Sequence, residues 1–151
     1  MELIAHNIRS LFNVGAFFRN ADAFGVSKLY LSGYTATPPR DEISKVALGA
    51  ENCVIWEKEN DVLRLMERLK KEHKRVIAFE AKPSLPSVSS FTFYENDVLM
   101  FGNEPDGIPD DVLKYADDVL YIPMFGKKSS LNVAVASGVA LYAARLSCEY
   151  E

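Results

Sequence analysis

Five polar side chains stand where this chain could do chemistry. Asn13 and Arg19 lie in "NVGAFFRNADAFG", Glu104 in "GNEPDGIP", and Ser130 and Asn132 in "FGKKSSLN". Each group follows an apolar run that reads as a strand. A guanidinium, a carboxylate, a hydroxyl and two amides can orient a substrate and stabilise developing charge. Each also has a plain structural use. Glu104 could be a solvated loop carboxylate. Ser130 and Asn132 could cap a helix. Arg19, beside Phe17 and Phe18, could lay its stem over apolar surface. Gly102 and Gly107 could simply permit tight turns. Taken singly, none of these residues identifies a function.

Familiar chemical motifs are missing. "FGKKSS" has a Gly-Lys-x-Ser look but lacks the earlier glycine of a phosphate-cradling loop. No G-x-G-x-x-G follows the first strand, and no Gly-x-Ser-x-Gly elbow exists. His6 and His73 have no spacing suited to a metal. Kinases, dehydrogenases, zinc enzymes and the commonest hydrolases are thereby disfavoured.

The elements that must position these groups alternate. "ELIAHN", "SKLYLSG", "NCVIWE", "RVIAFE", "DVLMFG" and "DVLYIP" read as strands. A helix follows the first of them and closes at Gly25. A second covers "NDVLRLMERLKKEHK", with Val62, Leu63, Leu65, Met66 and Leu69 at helical spacing and Asn60 or Asp61 as cap. A short third helix spans "PDDVLKYA", and a last begins near Ser130. "TATPPRD" and "KPSLPSVSS" read as loops. Continuously apolar strands alternating with helices predict an α/β fold, a mainly parallel sheet covered on both faces. Ligands in such sheets bind beyond the carboxyl ends of the strands, where the five polar groups fall.

The chain has 151 residues, 48% hydrophobic, enough for one domain spanning 1–151 with a real core. Residues 131–146 form the most apolar run. They fall short of the ~20 residues of a membrane span, so they read as a core or interface helix, with no membrane partner. Cys53 and Cys148 read as free, buried thiols in a reducing cytosol, which places the protein in the cytoplasm. The net charge of −4 argues mildly against nucleic acid, but it is uneven. Residues 1–50 hold five basic and four acidic groups, whereas 101–151 hold four basic and eight acidic.

In their order and spacing the three segments are more specific than their residues. "NVGAFFRNADAFG", "FGNEPDGIP" and "IPMFGKKSSLNVAVASG" resemble the sequence motifs of the SpoU/TrmH-type RNA ribose 2′-O-methyltransferases, of the SPOUT class. The resemblance runs from Leu3 to about Leu146. It implies a C-terminal deep trefoil knot, which general rules of chain topology would not have supplied. It also implies S-adenosylmethionine as methyl donor, S-adenosylhomocysteine as product, no metal, an RNA substrate (tRNA or rRNA) and a homodimer.

The resemblance places the donor among Phe79, Gly102, Ile122, Met124, Gly126 and Leu131. It casts Arg19 as the group that activates the ribose hydroxyl, with Asn13 and Asn132 orienting it and Glu104 and Ser130 bracing the site. A guanidinium holds its proton very tightly and is a reluctant base. Either Arg19 hands its proton to an RNA phosphate, or it stays charged and stabilises the alkoxide. The chain starts at its first strand, so no added RNA-binding domain is expected. Arg9, Arg40, Lys45, Lys127 and Lys128 are the candidate phosphate contacts. Two other readings stay open: a knotted RNA- or donor-binding protein without transferase activity, and a base-nitrogen methyltransferase of the same fold.

Overall fold

A computed structural model describes residues 1–149, although not the side chain of Glu149. Six strands form one sheet: β1 (Glu2–His6), β2 (Lys28–Ser32), β3 (Trp56–Glu59), β4 (Val76–Phe79), β5 (Val98–Phe101) and β6 (Asp118–Leu120). Their order is β3-β2-β1-β5-β4-β6, and every pairing is parallel. The central strands β1, β4 and β5 are almost wholly buried, which is why they read as unbroken apolar runs.

Side chains alternate between two cores, as the two-residue period requires. Leu3, Ala5, Leu29, Leu31, Leu99 and Phe101 face α1 (Leu11–Ala23) and α5 (Val133–Glu149). Ile4, Tyr30, Ala78, Val98 and Met100 face α3 (Val62–Lys71) and α4 (Asp110–Leu113). Phe17 and Phe18 of α1 are fully buried, each stabilising the fold by about 1.5–3 kcal/mol. Helix α3 buries Val62, Leu65, Met66 and Leu69, and Asp61 caps it by accepting from the N–H groups of Leu63 and Arg64.

The structure departs from the sequence reading in several places. Residues 52–55 are not strand; a 3-10 turn ends at Asn52, and β3 begins at Trp56. The apolar run there is spent on Val54, which is buried, while Ile55 is 66% exposed. Helix α2 (Asp41–Ala47) was not expected, because it buries only Ile43 and Ala47 and shows little periodicity. Helix α5 starts at Val133 rather than near Ser130. It is not apolar-buried all round: Ala134, Ser137, Ala140, Leu141 and Ala144 are buried, but Val135, Val139 and Tyr142 are exposed. Cys53 is exposed rather than buried. Among the described residues no helix is long and apolar enough to cross a membrane.

Candidate active site

The carboxyl ends of β4, β5 and β6 open into one cleft of about 800 Å³. Its walls come from Phe79 and Glu80, from the loop Phe101–Gly107, and from the stretch Tyr121–Val133. Phe79 forms its inner end, with its ring stacked on Phe101 at 4.9 Å and 8°. All six residues expected around a donor, Phe79, Gly102, Ile122, Met124, Gly126 and Leu131, line this cleft. So do Glu104, Ser130, Asn132, Lys127 and Lys128.

The two glycines of the β5 loop are required by crowding. A Cβ on Gly102 would lie 2.5 Å from the carbonyl carbon of Gly107. Gly107 has φ +72° and packs against the Glu80 carboxylate, 2.7 Å from where its own Cβ would stand. Reciprocal backbone bonds between Asn103 and Gly107, at 3.1 and 2.9 Å, fasten the turn. Gly126 differs, because nothing lies within 4 Å of its Cβ position.

Three of the five polar candidates meet at the cleft mouth. Asn132 accepts on Oδ1 from the N–H groups of Ala134 and Val135, at 2.9 and 3.3 Å, capping α5. Its Nδ2 donates to Asn13 Oδ1 at 3.1 Å, and Asn13 Nδ2 donates to Glu104 Oε1 at 2.9 Å. The order of this relay is fixed, since a carboxylate can only accept and a backbone N–H can only donate. Glu104 also accepts from the backbone N–H of Arg9 at 3.0 Å and of Ser10 at 3.2 Å, at the positive N-terminal end of α1. Burial raises its proton affinity, but these bonds from Arg9, Asn13 and Ser10 outweigh it and hold the carboxyl below its usual range.

Arg19 does not join this cluster. It is exposed and makes no hydrogen bond or ion pair among the described residues. Six residues on from Asn13, it points about 120° around α1 from it. Asn13 is bonded to Asn132 and to Glu104, and neither amide is bonded to Arg19. Ser130 is exposed on the cleft loop and caps nothing among the described residues. The five basic candidates are all exposed. Arg9 sits at the cluster through its backbone, and Lys127 and Lys128 line the cleft, whereas Arg40 and Lys45 belong to α2 and its entry and line no part of it.

Sequence reasoning missed Glu80, the residue immediately after β4. The strand-end rule points to it, as the first residue past an apolar strand. Its Oε1 accepts from the Ile108 N–H at 2.6 Å, and its own N–H donates to Leu120 O at 3.0 Å. One residue thus ties together all three walls of the cleft. Asn20 was missed as well. Its Nδ2 donates to Ala134 O at 2.7 Å and Ser137 Oγ at 2.9 Å, locking α1 to α5.

Burial pushes the Glu80 carboxyl above its ordinary 4.5, with the Ile108 N–H and Lys82 opposing and Asp110 adding to the rise. A carboxyl that holds its proton more tightly in the folded state favours folding below its unfolded pKa. That contribution is lost as pH rises through the folded pKa. Glu80→Gln keeps an acceptor for Ile108 and removes the charge. The variant should melt above the parent near pH 8, with the gap closing toward about pH 4. A constant gap across that range would remove Glu80 as a pH-sensitive group.

Residues 1–142 match the SpoU rRNA Methylase family. The chain is 33% identical over 145 residues to a tRNA (guanosine(18)-2′-O)-methyltransferase of Aquifex aeolicus, covering 95% of this chain and 67% of that one. Other curated relatives it matches are longer, and it spans 57% of the length of one from Vibrio vulnificus. A solved structure concerned with 2-OH methylation of C/U34 on tRNA is 30% identical with TM-score 0.89, covering 99% of this chain and 97% of that one. An AdoMet-bound rRNA methyltransferase from Sinorhizobium meliloti is 26% identical with TM-score 0.87, covering 96% of this chain and 55% of that one.

Proposed function

The chain belongs to the SpoU rRNA methylase family, and on that premise we propose that it transfers a methyl group from S-adenosylmethionine to a ribose 2′-hydroxyl of tRNA. The observation that carries this reading is the Asn132–Asn13–Glu104 relay at the mouth of a cleft large enough for the donor. The choice of tRNA over rRNA is supported by the 30%-identical relative that this chain matches over nearly the whole of both lengths.

The cleft fits the donor chemically. A purine needs an apolar slot with backbone groups at its edges, and Phe79, Ile122, Met124 and Leu131 supply apolar walls between strand ends. When bound there, the donor supplies a methyl already activated by its sulfonium. The chain's residues have the remaining tasks of alignment and proton removal. Asn13 and Asn132 hold the mouth rigid through Glu104, which suits alignment. Glu104, bound by three donors and depressed in pKa, is suited to anchoring rather than to taking a proton. Arg19 is assigned the activation of the hydroxyl, from outside this cluster.

A C-terminal trefoil knot belongs to the same reading. It is supported by the way the chain leaves β6. Tyr121 bridges Ser87 in parallel, donating to Pro86 O and accepting from the Val88 N–H, both at 3.0 Å, so this stretch runs along a loop before α5 returns to α1. A homodimer and a cytoplasmic location complete the proposal. For the dimer, Val135, Val139 and Tyr142 form an exposed stripe on α5 at 53%, 40% and 56%, beside Phe12 of α1 at 54%. Light scattering at micromolar concentration should give twice the chain mass, and Val139→Glu should shift it toward monomer. A parent that is monomeric throughout would count against the dimer.

The deciding experiment incubates the protein and labelled donor with total RNA from a strain lacking the gene. A 2′-O-methyl nucleoside in the tRNA fraction is expected. Label confined to rRNA would overturn the substrate, label on a base nitrogen would overturn the reaction, and no label would favour a binding protein without transferase activity.

A further inference from the structure

Tyr34 lies just past β2, outside the donor cleft, and is pinned at both ends. Its backbone N–H donates to Asn7 Oδ1 at 3.0 Å. Its phenol oxygen accepts from Nδ2 of Asn103, the neighbour of Glu104 in the chain. The anchors are themselves fixed. Asn7 has φ 54°, and its Nδ2 bonds Nε2 of the buried His6 at 3.1 Å. His6 Nδ1 in turn meets Ser32 Oγ at 2.9 Å. Gly33, at φ +62°, leaves no room for any other residue, since a Cβ there would stand 1.9 Å from Asn7 Oδ1.

For all this ordering, the Tyr34 side chain is left in solvent, the residue 56% exposed. An aromatic face held rigid in water beside a polar cluster is preorganised to accept a flat partner. Phe125 is more exposed still, on the cleft loop, but it has no anchor among the described residues.

We propose that Tyr34 is the stacking platform for the nucleobase of the target nucleotide, which holds its ribose over the Asn13–Glu104–Asn132 cluster. The proposal rests on the RNA 2′-O-methyltransferase reading. Unpaired bases splayed from RNA are gripped by aromatic faces in this way, with tolerance for base identity. Because Tyr34 does not line the donor cleft, it acts on RNA affinity and not on donor affinity.

The test separates stacking from bracing. Tyr34→Phe keeps the ring and loses the hydroxyl, while Tyr34→Leu loses both. With tRNA from the deletion strain as substrate, Tyr34→Phe should stay within about threefold of the parent KM, and Tyr34→Leu should raise it roughly 10- to 100-fold. Donor affinity by calorimetry should be unchanged in both. In an RNA carrying 2-aminopurine at the mapped nucleotide, the parent and Tyr34→Phe should quench its fluorescence and Tyr34→Leu should not. A parent-like Tyr34→Leu overturns the proposal. So does equal loss in both variants with weakened donor binding, which would make Tyr34 a brace for Asn103. A parent that labels no RNA overturns the methyltransferase reading first, and the platform with it.

Discussion

Gly102→Ala should lower donor affinity by at least about tenfold and reduce thermal stability, without abolishing the fold. The new methyl would lie 2.5 Å from the Gly107 carbonyl carbon, 2.6 Å from its oxygen and 2.6 Å from Ile108 Cγ1. Two of those atoms are backbone, which cannot rotate away as a side-chain tip can. Retreat is blocked from behind, because Gly107 already rests on the Glu80 carboxylate. The turn must therefore open. Opening displaces Gly102 and Ile108, and strains the Arg9, Ser10 and Asn13 bonds to Glu104 two residues on. Overpacking of this kind costs about 1–3 kcal/mol, which for this size corresponds to roughly 2–12 °C in Tm. Calorimetric titration with S-adenosylmethionine reads the first effect and a thermal melt the second. Parent-like values in both would show that the turn does not shape the donor cleft. Leu131 gives a useful contrast. It lines the same cleft but is 37% exposed, so the charge of Leu131→Glu can turn to solvent and its penalty should be smaller.

The contrast between these positions shows what could be read in advance. The sheet was legible because β1, β4 and β5 are buried on both faces, and their polar residues, Glu2 and His6, stand only at the ends of β1 and break no run. β3 was misplaced because it is an edge strand of half-buried Trp56–Glu59, while the apolar Val54 and Ile55 before it belong to a turn. Asn13, Glu104 and Asn132 were legible as types following strands. Their mutual bonds were not, because they join residues 91 and 119 positions apart, and only packing of α1 against α5 and the β5 loop decides them. Glu80 is legible by the same rule, as the first residue after β4. Tyr34 carried no sequence signal, since its role depends on Asn7 and Asn103, which reach it across the ends of three strands. The direction of Arg19 follows from helical geometry once Asn13 is placed, and it separates two residues that share one sequence motif.

That separation sharpens the second large expectation. Arg19→Ala should reduce methyl transfer by about 10²–10³, the usual loss on removing a preorganised stabilising group or a general base. Donor affinity should stay within a few-fold of the parent, because Arg19 lines no part of the cleft. Stability should barely change, since the side chain is exposed and unbonded. Arg19→Lys distinguishes the two accounts of its role. Lysine keeps the charge, loses the planar fork and gives up its proton more readily. Rescue that grows with pH indicates proton acceptance, and rescue independent of pH indicates stabilisation of the alkoxide. On the role proposed for Arg19, RNA or a second copy brings the ribose to it, because it points about 120° around α1 from Asn13 and makes no bond to the cluster among the described residues. Mixing Arg19→Ala with Asn13→Ala chains decides which. Activity restored in the mixture places Arg19 of one copy at the cluster of the other, and no restoration places both on one copy. If Arg19→Ala alone transfers methyl at the parent rate, the motif has been assigned the wrong residue. Glu104 is then a poor substitute as base, for its oxygens already accept from Arg9, Ser10 and Asn13, and the bonds that anchor it also weaken its hold on a proton.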